Sequence, residues 1–118
     1  MDVMTAGQLG LTKDEMHVLK AGVGEWWGSA RADDSHASAL GYSSAALMES
    51  DLEYLWTAVN GPAALPIDAW ARVIASTRLV STDRNASGED WPSVTGFDQI
   101  ETDELLASVE ARIQAHRQ

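Results

Sequence analysis

Gly22-Val23-Gly24-Glu25-Trp26-Trp27-Gly28 decides how this chain is read, because it sets three glycines and an adjacent tryptophan pair inside an otherwise helical pattern. Just upstream, Thr12-Lys13-Asp14-Glu15 has the form of a capping box, in which the Thr12 hydroxyl and the Glu15 carboxylate each accept from the other's amide. Met16, Leu19, Val23, Trp26, Trp27 and Ala30 follow at helical spacing. At about 100° per residue they share an arc of about 100°, with the two tryptophans at its opposite edges. The spacing predicts a first helix over 13–30.

Three glycines in a helix interior lower its stability by roughly 2–3 kcal/mol relative to alanine, so packing has to offset them. Ala21, Gly24 and Gly28 form a smooth strip beside the apolar arc, where a second helix or an indole can sit close. The alternatives are a pocket floor walled by Trp26 and Trp27, or a plain break between Gly22 and Gly24. Close packing is the reading adopted. Trp26 is assigned to the core. Trp27, which neighbours Lys13 and Lys20 around the helix, is assigned to a wetter edge available to a partner.

Working outward, residues 1–10 read as a loose leader with Gly7 and Gly10. Residues 31–43 are small and polar, a connection with room for one helical turn. Ser43 or Ser44 then caps a second helix over 44–60, stopped by Gly61-Pro62, with Met48, Leu52, Leu55, Trp56 and Val59 on one face. Pro66 and Asp68 suit the first turn of a third helix over 67–80. Its apolar residues, from Ile67 to Val80, cover about half the circumference, which marks the most buried helix or a homodimer interface. Arg72 is expected to pair with Asp68 at i,i+4.

Residues 81–98 lack a sustained helical period and are long for a structureless loop in a compact domain. They are expected to be functional or to hold a short strand pair around Trp91 to Phe97. A last helix over 101–117 buries Leu105, Leu106, Val109 and Ile113, with Asp103 and Glu104 in its first turn and Arg112, His116 and Arg117 in its last. The expected fold is therefore all-α: a single domain, 1–118, forming a compact bundle of four main helices, with an irregular loop or minor β-hairpin before the last.

Composition bounds the rest. The chain has 118 residues, 45% of them hydrophobic and 22% charged, which suits one globular domain with a real core. There is no cysteine, so disulfides, thiolate nucleophiles and cysteine-ligated metals are excluded. With 18 acidic against 8 basic residues the net charge is −10. That surface repels nucleic acid and anionic lipid and favours a basic protein partner. Met1 to Leu11 is neither basic nor continuously apolar, and no apolar run approaches the roughly 20 residues of a membrane span. A soluble, cytoplasmic protein is expected. Abundant alanine, and arginine exceeding lysine by 6 to 2, suit a GC-rich bacterial coding bias.

The chemical motifs are weak. Asp83, Asn85, Ser87 and Gly88 match the first half of a calcium-binding EF-hand loop, but Asp90 and Val94 stand where an apolar residue and a bidentate glutamate belong. Asp14 and His17 have metal-ligand spacing yet lie off the apolar arc. Asp33-Asp34-Ser35-His36 has the letters of a hydrolase triad without its geometry, so His36 reads as a solvated loop residue. No metal or cofactor is expected, and the balance is against an enzyme. The function expected is a small acidic interaction module (an adaptor, inhibitor or immunity-type protein) that binds another protein. Its face combines Trp27 with Asp83, Asn85, Glu89, Asp90 and Trp91. A small-ligand binder or enzyme with a tryptophan-lined pocket between the first helix and the 81–98 loop is the alternative, and a homodimeric structural protein the third.

Overall fold

The capping box forms as the sequence dictates. The Thr12 amide donates to Glu15 Oε1 at 2.7 Å and the Glu15 amide to Thr12 Oγ1 at 3.1 Å. The computed structural model describes residues 3–27, 33–61, 64–82 and 91–116, and of Trp27 and Val94 the backbone alone. The helix opened by the box, α2 (Lys13–Gly24), passes into a 3-10 turn at Glu25–Trp27. It thus ends as an α-helix earlier than 13–30, at the second of its low-propensity glycines.

The segment before it is built, not loose. β1 (Val3–Met4) leads to α1 (Ala6–Leu9), which has its own capping box between Thr5 and Gln8. Gly10 closes α1 at φ 72°, a left-handed conformation in which its N–H bonds back to Ala6 and Gly7. β1 pairs antiparallel with β2 (Leu65–Pro66), and the Trp70 indole N–H donates to the Met4 carbonyl at 2.9 Å. The strand pairing of the described chain therefore lies here and not at Trp91 to Phe97. That stretch instead contains a short helix, α6 (Trp91–Thr95).

The turn expected in the 31–43 connection is α3 (Asp34–Ala39), capped by Asp33. Ser44 caps α4 (Ala45–Val59), which buries Met48, Leu52, Leu55 and Val59. Trp56 departs from that face. It sits at the edge of the stripe and is 39% exposed.

α5 (Ile67–Thr82) is the most enclosed helix, burying Ala69, Trp70, Val73, Ile74, Ser76, Thr77, Val80 and Ser81. It packs on α2 and on α7 (Gln99–His116), so its broad apolar face is covered largely within the chain. Gly22 makes the first of these contacts possible: a Cβ there would lie 2.1 Å from Thr77 Oγ1 and 2.5 Å from Thr77 Cβ. Gly24 does the same for α4, since its absent Cβ would meet the Trp56 ring at 2.5 Å. Gly22 and Gly24 thus open α2 to close packing on two sides, while Gly28 lies outside the described residues.

Polar ties lock the bundle. Arg72 gives a two-pronged bond to Asp51 of α4, at 2.8 and 3.2 Å, in place of the expected pairing with Asp68. Asp51 also accepts from the Tyr42 hydroxyl. Burial, then the Asp51 carboxylate, push that phenol above its ordinary pKa. Glu15, fully buried, faces Arg112 of α7 at 3.2 Å. Burial pushes its carboxyl up, but hydrogen bonds with Ser108, Thr12 and Arg112 outweigh this and hold it below the usual carboxylate value. No described helix is long and apolar enough to cross a membrane.

Candidate functional site

Of the residues expected to form a binding face, Asp83, Asn85, Glu89 and Asp90 lie outside the described residues, as does the side chain of Trp27. The half-match to a calcium loop and any pocket walled by the 83–90 segment lie there too. Trp91 is placed, and it is in the core. Only 1% of it is exposed, and its indole N–H donates 2.8 Å to Thr102 Oγ1, whose own hydroxyl donates to the Asp98 carbonyl at 2.8 Å. A buried indole with its donor satisfied has no area left for a partner. Trp91 instead pins α6 against α7.

The pinning builds a surface next to it. Gly96, at φ 82°, ends α6, and the Thr95 hydroxyl receives the Phe97 amide at 3.0 Å. His17 of α2 reaches the same corner: its Nε2 lies 3.0 Å from the Thr95 carbonyl oxygen, and its ring stands edge-on to Phe97 at 5.8 Å. Asp98 and Glu101 then form a reciprocal cap on α7, with bonds of 2.8 and 3.1 Å. Because Phe97 is held between α2 and the start of α7, a groove of about 160 Å³ opens beside it, lined by Asp14, Phe97, Glu101, Glu104 and Leu105.

Its chemistry is simple. Phe97 and Leu105 supply apolar surface, and three carboxylates ring it. Glu101 and Glu104 stand in the first turns of α7, where the helix dipole favours negative charge. Asp14 does the same at the start of α2. Ile100, one turn before Glu104, is 70% exposed, the most exposed of the large hydrophobic residues described. In the sequence Asp14 and Glu104 read only as first-turn acids, because nothing local brings them together.

Other concavities lie among the described residues. One of about 100 Å³ lies between α5 and α7, bridged by the Arg78–Glu110 ion pair. Another of about 290 Å³ lies between α2 and α4 beside Trp56. His36, expected to be solvated, is buried with 6% exposure. Its Nδ1 faces Asp33 Oδ1 at 3.2 Å, and its ring packs edge-on to Trp26 at 5.1 Å. It is a packing residue, because α3 folds its inner face onto the tryptophan. Among the described residues no three His, Asp or Glu side chains converge as a metal site would require. Compared with protein-family models, curated proteins and solved structures, the chain matches none of them.

Proposed function

We propose that this chain is a small acidic module that binds a basic segment of another protein at the Asp14–Phe97–Glu101–Glu104–Leu105 groove. The observation that supports it most is the pairing of an apolar floor with three carboxylates at one concavity. A lysine or arginine side chain fits that combination, its aliphatic stem on Phe97 and Leu105 and its charged head among the acids. Ile100, next to Glu101 in the chain, exposes further apolar area. The net charge of −10 raises the encounter rate with such a partner and repels acidic competitors.

Amide NMR with the ¹⁵N-labelled chain and a lysine-rich hexapeptide tests this. The amides of Asp14, Phe97, Glu101, Glu104 and Leu105 are expected to shift most, and the E101Q/E104Q double variant to weaken binding about ten-fold. Glutamine keeps the cap on α7, so the fold survives the change. Shifts spread evenly over every acidic face, or a titration unaltered in the double variant, would remove the groove from the proposal.

A further inference from the structure

Lys13 and Lys20 are the chain's two lysines, and with His17 and Gly24 they stand on one row of α2. At about 100° per residue the four positions fall within about 60° of one another. The side chains of Lys13, His17 and Lys20 are all exposed. Elsewhere Arg72, Arg78 and Arg112 are each matched to a carboxylate, of Asp51, Glu110 and Glu15. Neither lysine is matched among the described residues. The row is thus a local positive strip on a protein of net charge −10.

That strip borders the groove of about 290 Å³ between α2 and α4, lined by His17, Lys20, Ala21, Gly24, Glu25 and Trp56. Its wall is an indole laid on bare backbone, since Trp56 Cζ3 and Cη2 lie 2.5 and 3.0 Å from where a Gly24 Cβ would be. The ring is still 39% exposed. An exposed aromatic wall, a floor of Ala21 and Gly24, and a cation at the lip define an occupant that is apolar at one end and negative at the other. Glu25, the C-cap of α2, also lines the groove, so the negative end is set toward Lys20, one turn earlier.

We propose that this groove docks an acidic segment of a protein partner. A carboxylate of the segment sits by Lys20, and a neighbouring apolar side chain lies on Trp56 over Gly24. Screening permits this on an acidic protein, because at physiological salt charges beyond about 8 Å are damped while the adjacent cations are felt. A nucleic-acid strand fits poorly: the row from Lys13 to Lys20 spans only about 10 Å at 1.5 Å per residue, too short for a run of phosphates. The acidic groove is lined by three carboxylates and this one by a lysine and a glutamate, and His17, whose ring also meets Phe97, stands between the two. A chain with both is suited to bridge a basic and an acidic partner.

Titrating the ¹⁵N-labelled chain with three short peptides tests it: one of Asp and Glu around a central Phe, its Asn/Gln counterpart, and its Lys counterpart. The acidic peptide is expected to shift the Lys20 and Gly24 amides and the Trp56 indole N–H. K20E should weaken it at least ten-fold, and W56A should weaken acidic and neutral peptides alike. K20E changes an exposed residue, so its amide spectrum should otherwise stay that of the folded chain. Equal shifts from the acidic and lysine peptides, or an unchanged titration in K20E, would overturn the proposal. So would the same resonances answering to a single-stranded DNA oligonucleotide and not to the acidic peptide. The lysine peptide's own effect at Phe97 and Glu104 reports on the other groove, so the two readings fail independently.

Discussion

Replacing Gly22 with alanine should destabilise this protein although it removes a glycine from a helix. In an isolated helix the change gains about 1 kcal/mol. Here the new Cβ falls 2.1, 2.4 and 2.5 Å from Thr77 Oγ1, Cγ2 and Cβ. The first two distances can be relieved by a rotamer change, but the third cannot, because Cβ does not move with χ1. Carbon–carbon contact begins near 3.5 Å, so α2 and α5 must separate by about 1 Å along their contact. Overpacking of this kind costs about 1–3 kcal/mol, and more where backbone has to shift. Taking about 3–4 kcal/mol for the clash leaves a net loss of about 2–3 kcal/mol after the helical gain. For a domain of this size that is a fall of about 10 °C in Tm. The matched control is Gly24→Ala, whose Cβ meets only the far end of the Trp56 ring. That ring is part-exposed and can swing outward, so lost contact and gained propensity nearly cancel, within about 0.5 kcal/mol. Urea unfolding of both variants reads the difference as a shift in midpoint at constant slope. Thr77→Ala added to Gly22→Ala should recover only part of the loss. A Gly22→Ala protein as stable as the parent would refute the close approach of α2 and α5.

Other outcomes follow from single contacts. Glu15→Gln keeps the cap on α2 but loses the ion pair with Arg112, and should cost about 1–2 kcal/mol at neutral pH. The Glu15 carboxyl is held below its ordinary value of 4.5, so its contribution is present above that pH and is lost as pH falls through the folded value. The stability gap between parent and variant should accordingly close in acid, and a gap independent of pH would contradict the lowered pKa. Thr102→Val strips the acceptor from the buried Trp91 N–H and should cost about 1–3 kcal/mol. The Trp91→Phe/Thr102→Val double variant should then lose less than the sum of the singles; full additivity would mean that the bond is not formed. Trp26→Phe provides a contrast, because the Trp26 N–H is buried without a hydrogen-bond partner. It should cost less than Trp91→Phe by about 1 kcal/mol in thermal unfolding, since no bond is lost.

The local rules were legible in the sequence wherever cause and effect lie within a turn of each other. Thr12 with Glu15, and Ser44 before its helix, could be read as helix starts because a cap needs only residues three apart. The apolar periods of α4, α5 and α7 identified Met48, Leu52, Trp70, Val73, Leu106 and Val109 as core for the same reason. Of the Ala21-Gly24-Gly28 strip, Gly24 is a packing position as its spacing implies, whereas the closest approach is at Gly22, off that strip, and Gly28 lies outside the described residues. Trp56 and Trp91 show where periodicity stops. Both are aromatic residues on helices, yet one lies over Gly24 at the surface and the other is sealed against Thr102.

What the sequence alone determined is the all-α class, three helix starts, and a net charge of −10. These follow from short-range capping, from helical period and from counting charges. Tertiary structure decided everything that depends on which faces meet. It tied Val3–Met4 to Leu65–Pro66, turned His36 under Trp26, and gave Arg72 to Asp51. It also set Asp14 beside Glu101 and Glu104. Each joins residues that no periodic rule relates. A helix's sequence specifies which side is apolar, but the element that covers that side is chosen by the packing of the whole chain.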